Sequence, residues 1–483
     1  MTRAVKILTD TCNRIRLTMA DDDHHEQSLQ GVHIHFIGIG GSGMCGLAQI
    51  ALQSGAFVTG SDRAVSPDTR HLESLGIHIG YRQEDGEIPP ETQWVICTAA
   101  IAVNNGELIT AKNRGLKILK YSQMLGRVME LKTGIAIAGT HGKSTTTAML
   151  ACILAAAGMD PSFVVGAQIP QLNGSSHGGA GEHFVVEACE FDRSFLNLRP
   201  HIAAVLNIEP DHLDYYRDLD DITEAFRQFT AQVHPEGLVV IAADSAACGR
   251  AVSSCRASVL TYGIDRAADI QATNLQLVDG CFEFDVRVRG AACGRLALRV
   301  PGRHNVGNAL VAAAIGAHVG AGWPEIYKGL QTFGGAKRRS ELIRNSGGIV
   351  LVDDYAHHPT EITATLAALR MRWNPKRLIC VFQPHQHSRT RCFMDEFSAS
   401  FSDADIVIVP DIHFARDTEA DRTGVKANTL VEKMCAHGVQ ARYIPELGQV
   451  GEYLLQIARA GDLIVSMGAG NVWKVTHELA KRI

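Results

Sequence analysis

The chain has 483 residues, of which 46% are hydrophobic and 20% charged, with a formal net charge of −5 at pH 7; this is the composition of an ordinary globular protein of two to four domains. The mild acidity offers no basic face for a nucleic acid, and no apolar run approaches the ~18 residues of a membrane span. Twelve cysteines without a C-x-x-C pair argue against a zinc cluster or a disulfide framework and predict a reducing, cytoplasmic setting.

Residues 1–30 read as a mobile extension. Their short apolar stretch runs into Asp21-Asp22-Asp23-His24-His25 and does not form a secretory signal. Beyond them, strand-like apolar runs alternate with longer helical stretches, the pattern of parallel α/β domains. The first block opens with a predicted strand over His33–Ile37, then Gly38-Ile39-Gly40-Gly41-Ser42-Gly43 and a helix from Met44. A second strand, Phe57–Gly60, ends in Ser61-Asp62. This looks like a dinucleotide fingerprint, but a lone G-x-G-x-x-G also serves any diphosphate at a helix N-terminus. A nicotinamide cofactor and a UDP-sugar both fit it, and so does simple close packing.

The second block opens with a strand over Gly134–Ala138, followed by Gly139-Thr140-His141-Gly142-Lys143-Ser144 and a helix through Ala157. Such glycines let backbone N–H groups converge on phosphate oxygens at a helix N-terminus. Lys143 can then reach the β and γ phosphates and Ser144 can ligate Mg²⁺. The loop is two residues shorter than the standard P-loop. Further along, Glu187-Ala188-Cys189-Glu190-Phe191-Asp192 and Asn207-Ile208-Glu209-Pro210-Asp211-His212-Leu213-Asp214 follow predicted strands. Their carboxylates and histidine suit Mg²⁺, or solvated surface and helix caps. Asp279-Gly280 predicts a tight hairpin, and the alternation of Phe282, Phe284, Val286 and Val288 with charged residues predicts a small antiparallel sheet.

The third block opens with a strand over Ile349–Val352 and the polar run Asp353-Asp354-Tyr355-Ala356-His357-His358-Pro359-Thr360-Glu361. Later strands are predicted over Leu378–Phe382, Ile406–Val409 and Leu463–Ser466. The run Gln383-Pro384-His385-Gln386-His387-Ser388-Arg389-Thr390 follows the first of them. Ligands of open α/β sheets bind at the carboxyl ends of strands, so these two loops are expected to face one cleft.

Taken in order over residues 31–475, these motifs, with His304-Asn305-Val306-Gly307-Asn308 and Lys337–Glu341, resemble the Mur ligases of bacterial cell-wall synthesis, and among them the members that add L-alanine to UDP-N-acetylmuramate. The resemblance implies a three-domain α/β fold: a Rossmann-like domain over 31–125 for the UDP-sugar, a central P-loop-type domain over 126–335 for ATP, and a Rossmann-like domain over 336–483 for the amino acid. It implies ATP and Mg²⁺ as cofactors and an acyl-phosphate intermediate. Lys143, His357 and Arg389 become the implied catalytic residues. ATP falls to Gly139, Thr140, His141, Gly142, Lys143, Ser144, Thr145, Asn305, Asn308, Arg339 and Asp354. The UDP-sugar falls to Gly38, Gly40, Gly41, Ser42, Gly43, Ser61 and Asp62. Tyr355, His357, His385 and Arg389 are implied for the amino acid, and Ser144, Glu187 and His212 for the metal. The chain departs from the pattern at Cys189 and Phe191, where the family has Asp and Ser, and at Ser144, where it has Thr. A tripeptide-adding recycling ligase is the alternative within the family. An NAD-dependent dehydrogenase and a non-catalytic nucleotide switch are the alternatives outside it. Either a monomer or a homodimer is compatible.

Overall fold

In the computed structural model, described over residues 28–83, 86–98, 101–102, 104–415 and 417–483, the chain forms three sheets. Most of the extension expected at 1–30 lies outside the described residues, as does the side chain of Ser42.

The first sheet has five parallel strands in the order His78–Gly80, Phe57–Ser61, His33–Ile37, Trp94–Cys97, Lys117–Lys120. His33–Ile37 is its centre, between Phe57–Ser61 and Trp94–Cys97. This is half of a doubly wound nucleotide-binding sheet, and it places the first glycine loop at the carboxyl edge. The helix after that loop, Ser42–Gln53, turns an apolar face to the sheet.

The second sheet is built on Thr133–Ala138, which pairs in parallel with His183–Ala188 on one side and Ile202–Val205 on the other. All three strands are almost wholly buried, as strands covered by helices on both faces must be. The helix Lys143–Ala156 is buried nearly all round, because Trp323–Thr332 and His304–His318 pack over it. The second contact is close enough that a Cβ on Gly316 would stand 2.8 Å from a methyl of Ile153. The Asp279-Gly280 hairpin is present between Ile270–Val278 and Cys281–Val288, with both turn residues at positive φ, as a two-residue primed turn requires. Its strands are not a separate sheet. Ile270–Val278 pairs with Ser258–Gly263 and extends the central sheet at its edge.

The third sheet has the order Glu341–Ser346, Ile349–Asp354, Asp462–Met467, Arg377–Phe382, Ile406–Val409, Ala441–Tyr443. The first strand is antiparallel and the rest parallel. The loops after Ile349–Asp354 and Arg377–Phe382 leave the same edge and lie against the loop that follows Ile202–Val205 in the central sheet. Among the described residues no helix is long and apolar enough to cross a membrane.

Candidate functional site

The phosphate loop is shaped by hydrogen bonds to a neighbouring loop. Asn207 holds the main chain of His141 from both sides: its Oδ1 accepts from His141 N at 2.7 Å and its Nδ2 donates to His141 O at 3.1 Å. Thr140 N donates to Asn207 O, and Thr140 Oγ1 accepts from Glu209 N. Asn207 was not among the residues expected at the site. It follows a strand, but nothing in its spacing shows that it faces Gly139–Ser144.

Lys143 opens the helix after the loop. Its ammonium donates to the carbonyls of Gly139 and Thr140 and lies 2.9 Å from the carboxylate of Glu190, which is buried. Burial opposes the charge on Lys143, and Glu190, with Cys189 and Glu187 close by, outweighs it and raises the pKa. A cation is thus stored at the loop mouth. Ser144 is buried in the first turn.

The loop borders a cleft of about 980 Å³. Ser144, Thr145, Asn305, Asn308, Arg339 and Asp354 also line it, so it unites most of the residues expected to hold ATP. Asn308 Nδ2 donates to Asn305 Oδ1 at 3.0 Å, and Asn305 Nδ2 to the Pro301 carbonyl. Arg339 stacks on Tyr355 with 5.2 Å to the ring centroid. Asp354 accepts from the amides of Ser340 and Ala356, yet burial outweighs these bonds and lifts its carboxyl to about 6.

His141 joins this cleft to the third sheet. Its imidazole lies 3.2 Å from Glu361 and 3.6 Å from Glu209. Thr360 donates to Glu209 at 2.6 Å, and His358 Nε2 is 3.0 Å from the Pro210 carbonyl. His141, Glu209 and His358 have the spacing of a metal cluster. Both His358 nitrogens are nevertheless engaged with backbone groups, so an ion pair describes the cluster better. Burial alone would push His141 down, but Glu361 and Glu209 win and hold it up at about 9. The unfolded imidazole titrates near 6.5, so this contact stabilises fully below about pH 6.5 and is lost as pH rises through about 9. Thermal unfolding followed across that window is expected to show a fall in the parent and a flatter profile in His141→Gln. Equal profiles would remove His141 from the contact.

The residues expected to hold metal sit beside Lys143. A Glu187 oxygen accepts from Gly166 N. His212 adopts φ +51°, a left-handed conformation uncommon for a bulky residue. Its Nδ1 is buried and has no hydrogen-bond partner. Its Nε2 lies 3.9 Å from Glu190 and 3.7 Å from Asp211, and an imidazole among carboxylates fits a hard divalent cation with one nitrogen ligand.

The amino-acid set divides. Tyr355, His357 and His385 lie together, with ring centroids 5.3 Å apart for the first pair and 6.4 Å for the second. Burial lowers His357 to about 4, against the pull of Glu361, so it is neutral at pH 7. Arg389 instead borders a second pocket of about 290 Å³, shared with His212. There its Nη2 lies 3.0 Å from Oδ1 of the buried Asp211. In the sequence Asp211 is only one of several carboxylates that follow predicted strands.

The first glycine loop lies outside both pockets. Gly38 N and Ile39 N donate to the Ser61 carbonyl, and Gly40 N donates to Asp62 at 2.8 Å. Asp62 therefore shapes the loop and leaves one fewer loop amide for a diphosphate. Ser61 Oγ donates to the buried Glu107. Gly43 lies so close to Tyr121 that a Cβ there would stand 2.6 Å from its hydroxyl.

Three family models match in succession: the Mur ligase family catalytic domain over residues 33–133, the Mur ligase middle domain over 137–316, and the Mur ligase glutamate ligase domain over 338–470. The UDP-N-acetylmuramate–L-alanine ligase of Pelotomaculum thermopropionicum is 43% identical, over 93% of this chain and 97% of its own length. The ligase of the same name from Desulforamulus reducens is 41% identical over the same shares. Among solved structures, the UDP-N-acetylmuramate-alanine ligase of Thermotoga maritima superposes with a TM-score of 0.76 at 24% identity, covering 93% of this chain and 98% of that one; at that identity the likeness is one of fold. A murein peptide ligase from Psychrobacter arcticus gives 0.67 at 27% identity, with the same coverage.

Proposed function

Since this chain belongs to the Mur ligase family, we propose that it joins L-alanine to UDP-N-acetylmuramate at the expense of ATP, in the synthesis of peptidoglycan precursors. The observation that carries this reading is the joining of two carboxyl-edge loops of the central sheet to the third sheet, the phosphate loop through His141–Glu361 and the loop after Ile202–Val205 through Asp211–Arg389. One cleft thereby holds a triphosphate site and one neighbouring pocket holds a guanidinium suited to a carboxylate.

The assignment divides the work among three parts: 31–125 for the UDP-sugar, 126–335 for ATP and 336–483 for the amino acid. A carboxylate is a poor acyl donor. The sugar's lactyl carboxylate attacks the γ phosphorus of ATP, ADP leaves, and an acyl phosphate forms. The amine of L-alanine then adds to the acyl carbon, and collapse of the tetrahedral intermediate expels phosphate and leaves an amide. Lys143 shifts from Glu190 to the transferring phosphoryl oxygens, where negative charge is delocalised. Ser144, Glu187 and His212 are the residues that would hold Mg²⁺, which would supply charge neutralisation to the phosphate tail. Neutral His357 admits the amino group to the site without charge repulsion. Asp354 ends a strand of the third sheet and Arg339 lies in the turn before its first strand, so docking of that sheet completes the nucleotide site. A nicotinamide reading of the first glycine loop leaves both the phosphate loop and the third sheet without a task.

Phosphate release measured with ATP, UDP-N-acetylmuramate and a panel of amino acids tests the proposal. Turnover is expected with L-alanine and not without the sugar nucleotide. Turnover with the tripeptide but not with L-alanine would move the chain to the recycling ligases.

A further inference from the structure

We infer that Asp211 is a positioning residue for amino-acid recognition: it fixes Arg389 and His212, which line one pocket, so the site for the amino acid exists only when the third sheet is docked. The inference rests on the proposed ligase function and on the role given there to Arg389.

The carboxylate of Asp211 is 6% exposed as a residue, and Arg389 is 7% exposed. Two charges so far from water are retained only when each compensates the other. Asp211 Oδ1 accepts from Arg389 Nη2 at 3.0 Å and from the His212 amide at 2.7 Å. Its Oδ2 lies 3.7 Å from His212 Nε2. One side chain therefore touches three groups: an amide that sets the left-handed turn at His212, the imidazole of that residue, and a guanidinium 178 positions further along the chain. His212 and Arg389 both line the pocket of about 290 Å³.

The contact to Arg389 uses one N–H of a five-donor fork. It restrains the guanidinium and leaves N–H donors of the fork for a second carboxylate. Asp211 belongs to the central sheet's loop and Arg389 to the third sheet's. Undocking separates them and leaves Arg389 loosely oriented. Amino-acid affinity is thus coupled to docking through this pair, in the sense that one contact is made in one arrangement and lost in the other.

The test is a double-mutant cycle on steady-state constants. Asp211→Asn keeps the shape and removes the charge. It is expected to raise KM for L-alanine by about tenfold to a hundredfold, the span set by loss of a charge-assisted hydrogen bond, with KM for UDP-N-acetylmuramate nearly unchanged. In an Arg389→Ala background the same substitution should add little to KM for L-alanine, since the residue acts through Arg389. Additive effects in the double variant would overturn the inference, and so would an unchanged KM for L-alanine in Asp211→Asn when Arg389→Ala raises it. If Arg389→Ala itself leaves that KM unchanged, the role of Arg389 falls and the inference with it, whereas absence of any L-alanine turnover in the parent protein would mark failure of the functional reading alone. Should Asp211→Asn unfold, Asp211→Glu keeps the charge and displaces the guanidinium. An intermediate rise in KM is expected there, and none would count against the pair.

Discussion

Lys143→Ala is expected to lower kcat by about three orders of magnitude or more, because it removes the one lysine placed at the phosphate loop. The size follows from what the side chain does in the reaction. Charge on the transferring phosphoryl group is spread over three oxygens, and a preorganised cation in a partly dry cleft costs little reorganisation when that charge develops. The substitution has a second consequence. Glu190 is 3% exposed and holds Lys143 at 2.9 Å, so the variant leaves a buried carboxylate without its cation. A stability loss of roughly 1–3 kcal/mol is expected for such an orphan, and a low rate could then be mistaken for a folding defect. Lys143→Ala combined with Glu190→Gln separates the two effects. Thermal stability should recover in the double variant, while kcat should not. Near-normal turnover in a folded Lys143→Ala protein would refute the role of the loop.

The legible part of this site is the local part. A strand, a glycine turn and a helix N-terminus are contiguous in the chain, so Gly139–Ser144 could be read as a phosphate cradle without knowing what surrounds it. The alternation at Phe282–Val288 marked a strand for the same reason. Contacts made across sheets left no such trace. His141 and Glu361 are 220 positions apart, and Asp211 and Arg389 are 178 apart. Nothing in spacing or periodicity states which carboxyl-edge loop faces which. The same limit explains Asp62. At the end of the second strand it reads as a ligand-facing carboxylate, but its partner is Gly40 N, 22 positions earlier in the chain. It also explains Glu107, an ordinary helix residue in sequence that lies buried beneath Ser61. Family resemblance supplied the grouping of distant residues that local physics could not. The amino-acid set spans the His357–His385 cluster and the pocket of Arg389, whose charge reaches His357.

Gly142→Ala should be strongly damaging to the phosphate loop. Gly142 is the N-cap of the helix Lys143–Ala156 and has φ +85°. An L-residue there costs about 1–2 kcal/mol from its own backbone. The added Cβ would also stand 2.6 Å from Asn308 Oδ1 and 3.1 Å from a methyl of Leu206. Relief requires Asn308 to move, which breaks its bond to Asn305, or requires the loop to lift away from the cleft. Either route disturbs residues that line the nucleotide site. A rise of tenfold or more in KM for ATP is therefore expected, alongside a lower melting temperature, since a loss of about 1.4 kcal/mol in binding already gives a factor of ten. Asn308→Gly in the same chain would remove the clash and leave the φ cost, so it should restore part of the stability and little of the ATP affinity. Gly448→Ala is the control. It lies in the helix Leu447–Ile457 with nothing within 4 Å of the added methyl, and there alanine should stabilise by up to about 1 kcal/mol. If both substitutions were equally harmless, the left-handed cap and the close approach of Asn308 would not be what holds the loop in its phosphate-binding shape.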